Sequence, residues 1–137
     1  MFLIVAVTKY FLAGKKRGFG EGKWDGFGGK LESEDNSMEA CALRELEEEC
    51  GIKGRNLAYN GRLKVIMLNC QHVLNVHIYV TSEYENIPVE TAEMYPQWFE
   101  ESEIPYDKMW KDTLLWLPLV LQGRIIEGRY GTFVLSE

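Results

Sequence analysis

Three glutamates carry the first chemical signal in this chain. Glu45, Glu48 and Glu49 fall at i, i+3 and i+4 within Arg44-Glu45-Leu46-Glu47-Glu48-Glu49-Cys50-Gly51-Ile52, a spacing that sets their carboxylates on one face of a helix. Like charges so placed repel one another, and Arg44 alone cannot neutralise three. A hard divalent cation such as Mg2+ or Mn2+, which takes oxygen ligands in octahedral geometry, would offset the repulsion. Taken alone, a glutamate run is more often a solvated helix face. A basic, glycine-dense segment lies upstream. Gly14, Gly18, Gly20, Gly22, Gly26, Gly28 and Gly29 sit among Lys15, Lys16, Arg17 and Lys23, with Phe19, Trp24 and Phe27 interleaved. Glycine at that density makes a shaped loop, neither a helix nor a long strand.

These side chains need elements to hold them. A helix is predicted from about Ser37 to Glu49, with Asn36 as N-cap, Glu39 completing a capping-box-like arrangement and Gly51 ending it. Met38, Cys41, Ala42 and Leu46 form its apolar stripe. Phe2–Val7 reads as a buried strand, and Tyr10–Ala13 pairs back on it across a turn at Thr8-Lys9. Further strands are expected at Arg62–Leu68, Val73–Thr81 and Gln97–Phe99. Asp112 or Thr113 caps a second apolar helix reaching Gln122, which Pro118 must bend unless it falls near the first turn. Ile125–Tyr130 and Thr132–Leu135 suggest a closing hairpin about Gly131. Mixed strands and two helices make an α+β sandwich with helices on the faces of a sheet.

Composition narrows the function classes. The 137 residues suit one domain, with 46% hydrophobic and 26% charged residues, an ordinary globular balance. Fifteen Lys and Arg against twenty-one Asp and Glu give a net charge of −6, which excludes charge-driven binding to a nucleic-acid polymer. Cys41, Cys50 and Cys70 form no CxxC pair and are odd in number, so a reducing, cytoplasmic setting is expected. No apolar run reaches membrane-span length. Nothing in the pattern demands a partner copy, so a monomer is expected.

Gly28-Gly29-Lys30-Leu31-Glu32 ahead of the helix completes a longer pattern. It resembles the Nudix box, G-x5-E-x7-R-E-U-x-E-E-x-G-U, where U is a bulky aliphatic residue. Gly29 starts it, and Arg44, Glu45, Leu46, Glu48, Glu49, Gly51 and Ile52 fill its second half. The first half departs. Five residues on from Gly29 stands Asp35, and eight residues rather than seven separate it from Arg44. A one-residue insertion before the helix leaves Glu34, Asp35 and Asn36 as candidates for the first acidic position.

The resemblance continues beyond the box. Gly14-Lys15-Lys16-Arg17-Gly18-Phe19 and the run through Trp24-Asp25-Gly26-Phe27-Gly28-Gly29-Lys30 are similar to the MutT-homologue branch, the oxidised purine nucleoside triphosphatases of animals. So, in order, are Val76-His77, Pro88-Val89-Glu90, Glu93-Met94, Trp98-Phe99, Ile104-Pro105, Met109-Trp110 and Trp116-Leu117-Pro118. Members of that branch hydrolyse nucleotides such as 8-oxo-dGTP and 2-oxo-dATP to monophosphate and pyrophosphate. The resemblance implies a Nudix fold over residues 1–137, an α/β/α sandwich with a mixed sheet between helices. It also implies Mg2+, with Mn2+ as a substitute, and a small-molecule nucleotide substrate. By the same resemblance Glu45 and Glu49 are metal ligands with Glu48 beside them, and the Gly29 carbonyl adds an oxygen. One of these glutamates, or Glu93 from a later loop, orients or deprotonates the attacking water. Glu93 is thus a candidate for both the metal set and the base. Arg44 orients a glutamate through a charge-assisted hydrogen bond. Lys15 or Lys23 steadies phosphates, or is a solvated loop lysine.

The branch stacks its purine on a tryptophan at the position of Trp110, with an aromatic at Phe19, and reads the base edge from the positions of Asp25 and Asp112. The human-type enzyme has asparagine where this chain has Asp25 and a second aspartate where it has Thr113. An ionised Asp25 accepts hydrogen bonds only and repels a carbonyl oxygen. Either a neighbour keeps it protonated or the preferred base presents a donor. The alternative is an aspartate turned to solvent or capping a turn. His72 and His77 fall on opposite faces of a strand and make no paired metal site. Trp98, Phe99 and Trp116 suit a core. Two other readings compete: a Nudix hydrolase of another nucleoside diphosphate-linked substrate, and a nucleotide-binding module without catalysis.

Overall fold

Tyr10-Phe11-Leu12-Ala13 alternates its side chains between two apolar layers. Phe11 and Ala13 pack with Ala42, Leu46, Cys50 and Ile52, whereas Leu12 between them packs with Trp116, Leu117 and Val120. That two-residue period belongs to a strand covered on both faces. The computed structural model describes residues 2–6, 10–18, 21–67 and 72–130. The turn expected at Thr8-Lys9, Phe19, Cys70 and the expected strand Thr132–Leu135 lie outside the described residues.

The strands are β1 (Phe2–Ala6), β2 (Tyr10–Lys15), β3 (Trp24–Asp25), β4 (Lys53–Arg55), β5 (Ala58–Met67), β6 (His72–Thr81), β7 (Glu83–Glu85), β8 (Met94–Phe99) and β9 (Ile126–Tyr130). Seven of them form one sheet in the order β3-β2-β1-β6-β5-β9, with β8 on the other edge of β2. β1 runs parallel to β6 and β5 parallel to β9, while the β5–β6, β1–β2 and β2–β8 pairs are antiparallel, so the sheet is mixed. β4 and β7 pair separately. Helix α1 (Met38–Cys50) covers one face and α2 (Thr113–Leu121) the other. The expected three-layer α+β arrangement is present. Among the described residues no helix is long and apolar enough to cross a membrane.

Two expectations are corrected. Ser37, not Asn36, caps α1: its backbone is extended and its hydroxyl accepts the Ala40 N–H at 3.0 Å, the usual N-cap bond. The glycine-dense segment is not all loop, because β2 runs on to Lys15 and Gly14 and Ala13 pair with Trp24 and Asp25. β9 pairs in parallel with β5, and the hairpin partner proposed for it is outside the described residues. Gly51 ends α1 as expected, at φ 80°, with its N–H donating to the Glu47 carbonyl at 2.8 Å.

Candidate active site

The apolar stripe of α1 turns Cys41, Ala42, Leu46 and Cys50 into the core and leaves the acidic face along the Gly28-Gly29 segment. Glu49 is drawn almost fully inside, with 5% of its surface exposed, and accepts the Gly28 N–H at 2.8 Å. Glu45 lies so close to Gly29 that a Cβ there would stand 2.3 Å from its Oε1. Only glycine lets the backbone approach this carboxylate. Burial pushes the Glu49 carboxyl up to about 8, with the charges of Glu45 and Glu93 adding and the Gly28 N–H and Lys15 opposing. Burial also raises Glu45, against the pull of Arg44.

Arg44 organises the outer rim. Its Nε and Nη2 donate to the two oxygens of Asp35 at 2.9 Å each, a bidentate fork. Its Nη1 donates to Glu45 at 3.0 Å and Glu48 at 3.1 Å, and Nη2 also reaches the Lys30 carbonyl at 3.2 Å. The guanidinium, with help from the Glu32 N–H, holds the Asp35 carboxyl well below the usual carboxylate range. Of Glu34, Asp35 and Asn36, it is therefore Asp35 that meets Arg44. Glu93 stands opposite, half-exposed, paired with Arg17 at 3.4 Å, and its charge acts on both Glu45 and Glu49.

A second group gathers where β3 meets the start of α2. Asp25 accepts the Gly26 N–H at 2.9 Å. Burial lifts its carboxyl to about 7, Asp112 adds to the rise, and the Gly26 N–H and Lys15 oppose it. Asp112 is buried and accepts the Trp116 indole N–H at 2.9 Å. It stands before α2 without capping it through its side chain. Thr113 is buried and donates its N–H to the Trp110 carbonyl at 3.0 Å. The Lys23 ammonium lies 5.0 Å above the Trp110 ring, a cation–π contact. The half-buried Lys15 acts on both Asp25 and Glu49. It is thus within electrostatic reach of both groups.

Residues 2–120 match the model of the NUDIX domain. The chain belongs to the Nudix family. A relative from Danio rerio named oxidized purine nucleoside triphosphate hydrolase is 41% identical over 130 residues, covering 95% of this chain and 83% of the relative. A relative of the same name from Mus musculus is 36% identical over the same shares. Among solved structures, a MutT protein from Bacillus halodurans superposes with a TM-score of 0.78 at 20% identity, covering 99% of this chain and 92% of that one. A MutT NUDIX hydrolase from Burkholderia pseudomallei gives 0.76 at 21% identity, over 87% and 94%. At such identities the structures establish a shared fold.

Nudix hydrolases generally use divalent metal ions, and the donors along this Nudix helix suit a hard one. All are oxygens, and the bare Gly29 lets the Glu45 carboxylate lie against the backbone. Among the described residues no three His, Cys, Asp or Glu side chains are gathered as a metal ion would need; Arg44 draws Glu45 and Glu48 to itself instead. Of the residues expected from sequence, Arg44, Glu45, Glu48, Glu49, Gly29 and Glu93 come together, as do Lys23, Asp25, Trp110, Asp112 and Thr113. Phe19 is outside the described residues. Trp116 and Phe99 are core residues as expected. The box count alone did not single out Asp35, because a loop of altered length changes the register while the side chain still reaches. The Lys16 and Arg17 contacts to Glu90 and Glu93 also escaped the sequence, since they join segments remote along the chain.

Proposed function

We propose that this Nudix protein hydrolyses oxidised purine nucleoside triphosphates, of the 8-oxo-dGTP and 2-oxo-dATP kind, to monophosphate and pyrophosphate. The supporting observation is that one short segment, residues 23–29, serves both groups: Lys23 lies over the Trp110 ring and Asp25 follows it, while the Gly28 N–H meets Glu49 and Gly29 abuts Glu45. An aromatic platform and a carboxylate cluster on one segment suit a polyphosphate running from a stacked base to those carboxylates. The named relatives act on such nucleotides by their names.

In this reading Glu45, Glu49 and the Gly29 carbonyl would hold Mg2+, or Mn2+ in its place, with Glu48 and Glu93 as further candidate ligands. The cation supplies charge neutralisation on the phosphates and a lowered pKa for water. The protein does the rest. Arg44, braced by Asp35, fixes Glu45 and Glu48. Lys15 and Lys23 meet phosphate oxygens, and Lys23 leaves the Trp110 ring as the purine stacks there. A water oxygen attacks a phosphorus in line with its bridging oxygen, that P–O bond breaks, and pyrophosphate departs. The water proton passes to a carboxylate of the cluster, from Glu45, Glu48, Glu49 or Glu93. Catalysis rests on positioning and charge stabilisation.

Asp25 and Asp112 read the base edge, with Thr113 behind them. With its carboxyl raised to about 7, Asp25 can donate to a base carbonyl when protonated and accept from an N–H or amino group when ionised. The test is Mg2+-dependent hydrolysis, followed as pyrophosphate release from 8-oxo-dGTP, 2-oxo-dATP and dGTP and as nucleotide release from a dinucleoside polyphosphate and a nucleotide sugar. Preferred turnover of the oxidised purines is expected. Preference for another nucleoside diphosphate-linked compound moves the substrate, and tight binding without turnover makes the protein a binding module.

A further inference from the structure

The carbonyls of the last turn of a helix lack intrahelical partners. In α1 they are met by the loop that follows β7. Val89 donates its N–H to the Cys50 carbonyl at 2.9 Å, and the Asn86 amide reaches the Gly51 carbonyl at 3.2 Å. Thr91 donates its hydroxyl to the Glu49 carbonyl at 3.1 Å. The same hydroxyl oxygen accepts the N–H of Glu93 at 3.3 Å and of Met94 at 3.2 Å. A hydroxyl offers one donor and two lone pairs, and all three are used here.

Glu93 is consequently held at both ends of its backbone, since its carbonyl accepts the Lys16 N–H at 2.8 Å. Its side chain, in contrast, is 55% exposed and pairs with the solvent-facing Arg17. We propose that the Thr91 hydroxyl is a positioning group that ties Glu93 to the last turn of α1, presenting a mobile carboxylate from a fixed backbone beside Glu45 and Glu49. This rests on reading the glutamate cluster as a cation site. The helix that carries Glu45, Glu48 and Glu49 and the loop that carries Glu93 are then one frame, with the Thr91 hydroxyl as the link that reaches the Glu93 backbone.

The experiment measures Mn2+ binding to the protein without nucleotide, together with nucleotide turnover. Partners that orient ligands of a metal typically matter by about tenfold or more, so Thr91→Val is expected to weaken Mn2+ binding about tenfold. Thr91→Ser keeps the hydroxyl and should restore binding to within about twofold. Asn86→Gly removes another bond of the same loop, at a φ of 79° that glycine adopts freely, and should lower Tm while leaving Mn2+ affinity unchanged. In a Glu93→Gln background Thr91→Val should add nothing, because residues acting as a unit are non-additive. Equal effects of Thr91→Val and Asn86→Gly, multiplying effects of Thr91→Val and Glu93→Gln, or unchanged affinity in Glu93→Gln would each overturn the assignment. In the wild type the Glu93 amide should resist hydrogen exchange, and a freely exchanging amide would also overturn it. Should the Mn2+ series hold while no nucleotide is turned over, the substrate reading fails and the Thr91 assignment stands.

Discussion

Around Arg44 the fork from Asp35, the carboxylates of Glu45 and Glu48 and the Lys30 carbonyl all converge on one guanidinium. Around Trp110 the groups are of another kind: an ammonium over the ring, the Trp116 indole on Asp112 and a backbone N–H on Asp25. The charge-handling end is over-determined before any substrate arrives, whereas the base-sized end rests on a carboxyl that changes state near neutral pH. Loss of a brace should therefore damage turnover at the first end, and change selectivity at the second.

The largest effect should follow Glu49→Gln. Its amide oxygen can still accept the Gly28 N–H, so the fold survives, while kcat falls about a hundredfold or more. A change of less than about threefold, with the circular dichroism intact, would return α1 to a solvated acidic face. Next comes Asp35→Asn, which keeps the shape and removes the charge that grips Arg44. Turnover should drop about tenfold with KM little altered. An effect on KM alone would mean that Arg44 binds substrate rather than bracing glutamates.

Asp25→Asn sharpens the contrast from the other side. It should leave the better substrate's kcat within about threefold and shift the kcat/KM ratio of 8-oxo-dGTP to 2-oxo-dATP roughly tenfold. In the wild type that ratio should vary with pH around 7 and in the variant lie flat; identical ratios in the two proteins would remove Asp25 from base reading. The smallest effect is on stability. Asp25 has a folded pKa of about 7 against an ordinary 3.8, so between these values the folded state binds more protons than the unfolded chain. Stability contributed by this group is thus present at the acid side and lost as pH rises toward 7. Glu49 acts in the same direction up to about 8. Wild-type Tm should fall by several degrees from pH 5 to 8, and Asp25→Asn should flatten part of that slope.

Legibility in the sequence followed the range of the forces at work. Helix α1 was readable because its stripe, its acidic face and Gly51 are all local, and the error at Asn36 is one residue between two residue types that both cap well. The two-residue β3 was not readable, since so short a strand has no period and exists by pairing with Gly14 and Ala13. β8 was read short, from Gln97, because Pro96 interrupts a strand that in fact starts at Met94. In the candidate site, the glutamates and the aspartates were visible as types. Their partners were not. Asp35 reaches Arg44 across an inserted residue, and Lys15 links two carboxyls far apart in sequence.

The bare α-carbon at position 29 has a consequence for tolerance to change. A core side chain such as Leu46 answers substitution by degrees, losing a little for each methylene trimmed. At position 29 a Cβ would fall 2.3 Å from the Glu45 Oε1, so alanine already pushes that carboxylate aside and bulkier replacements have little left to displace. A survey of every substitution there should show a cliff, where the same survey at Leu46 shows a slope.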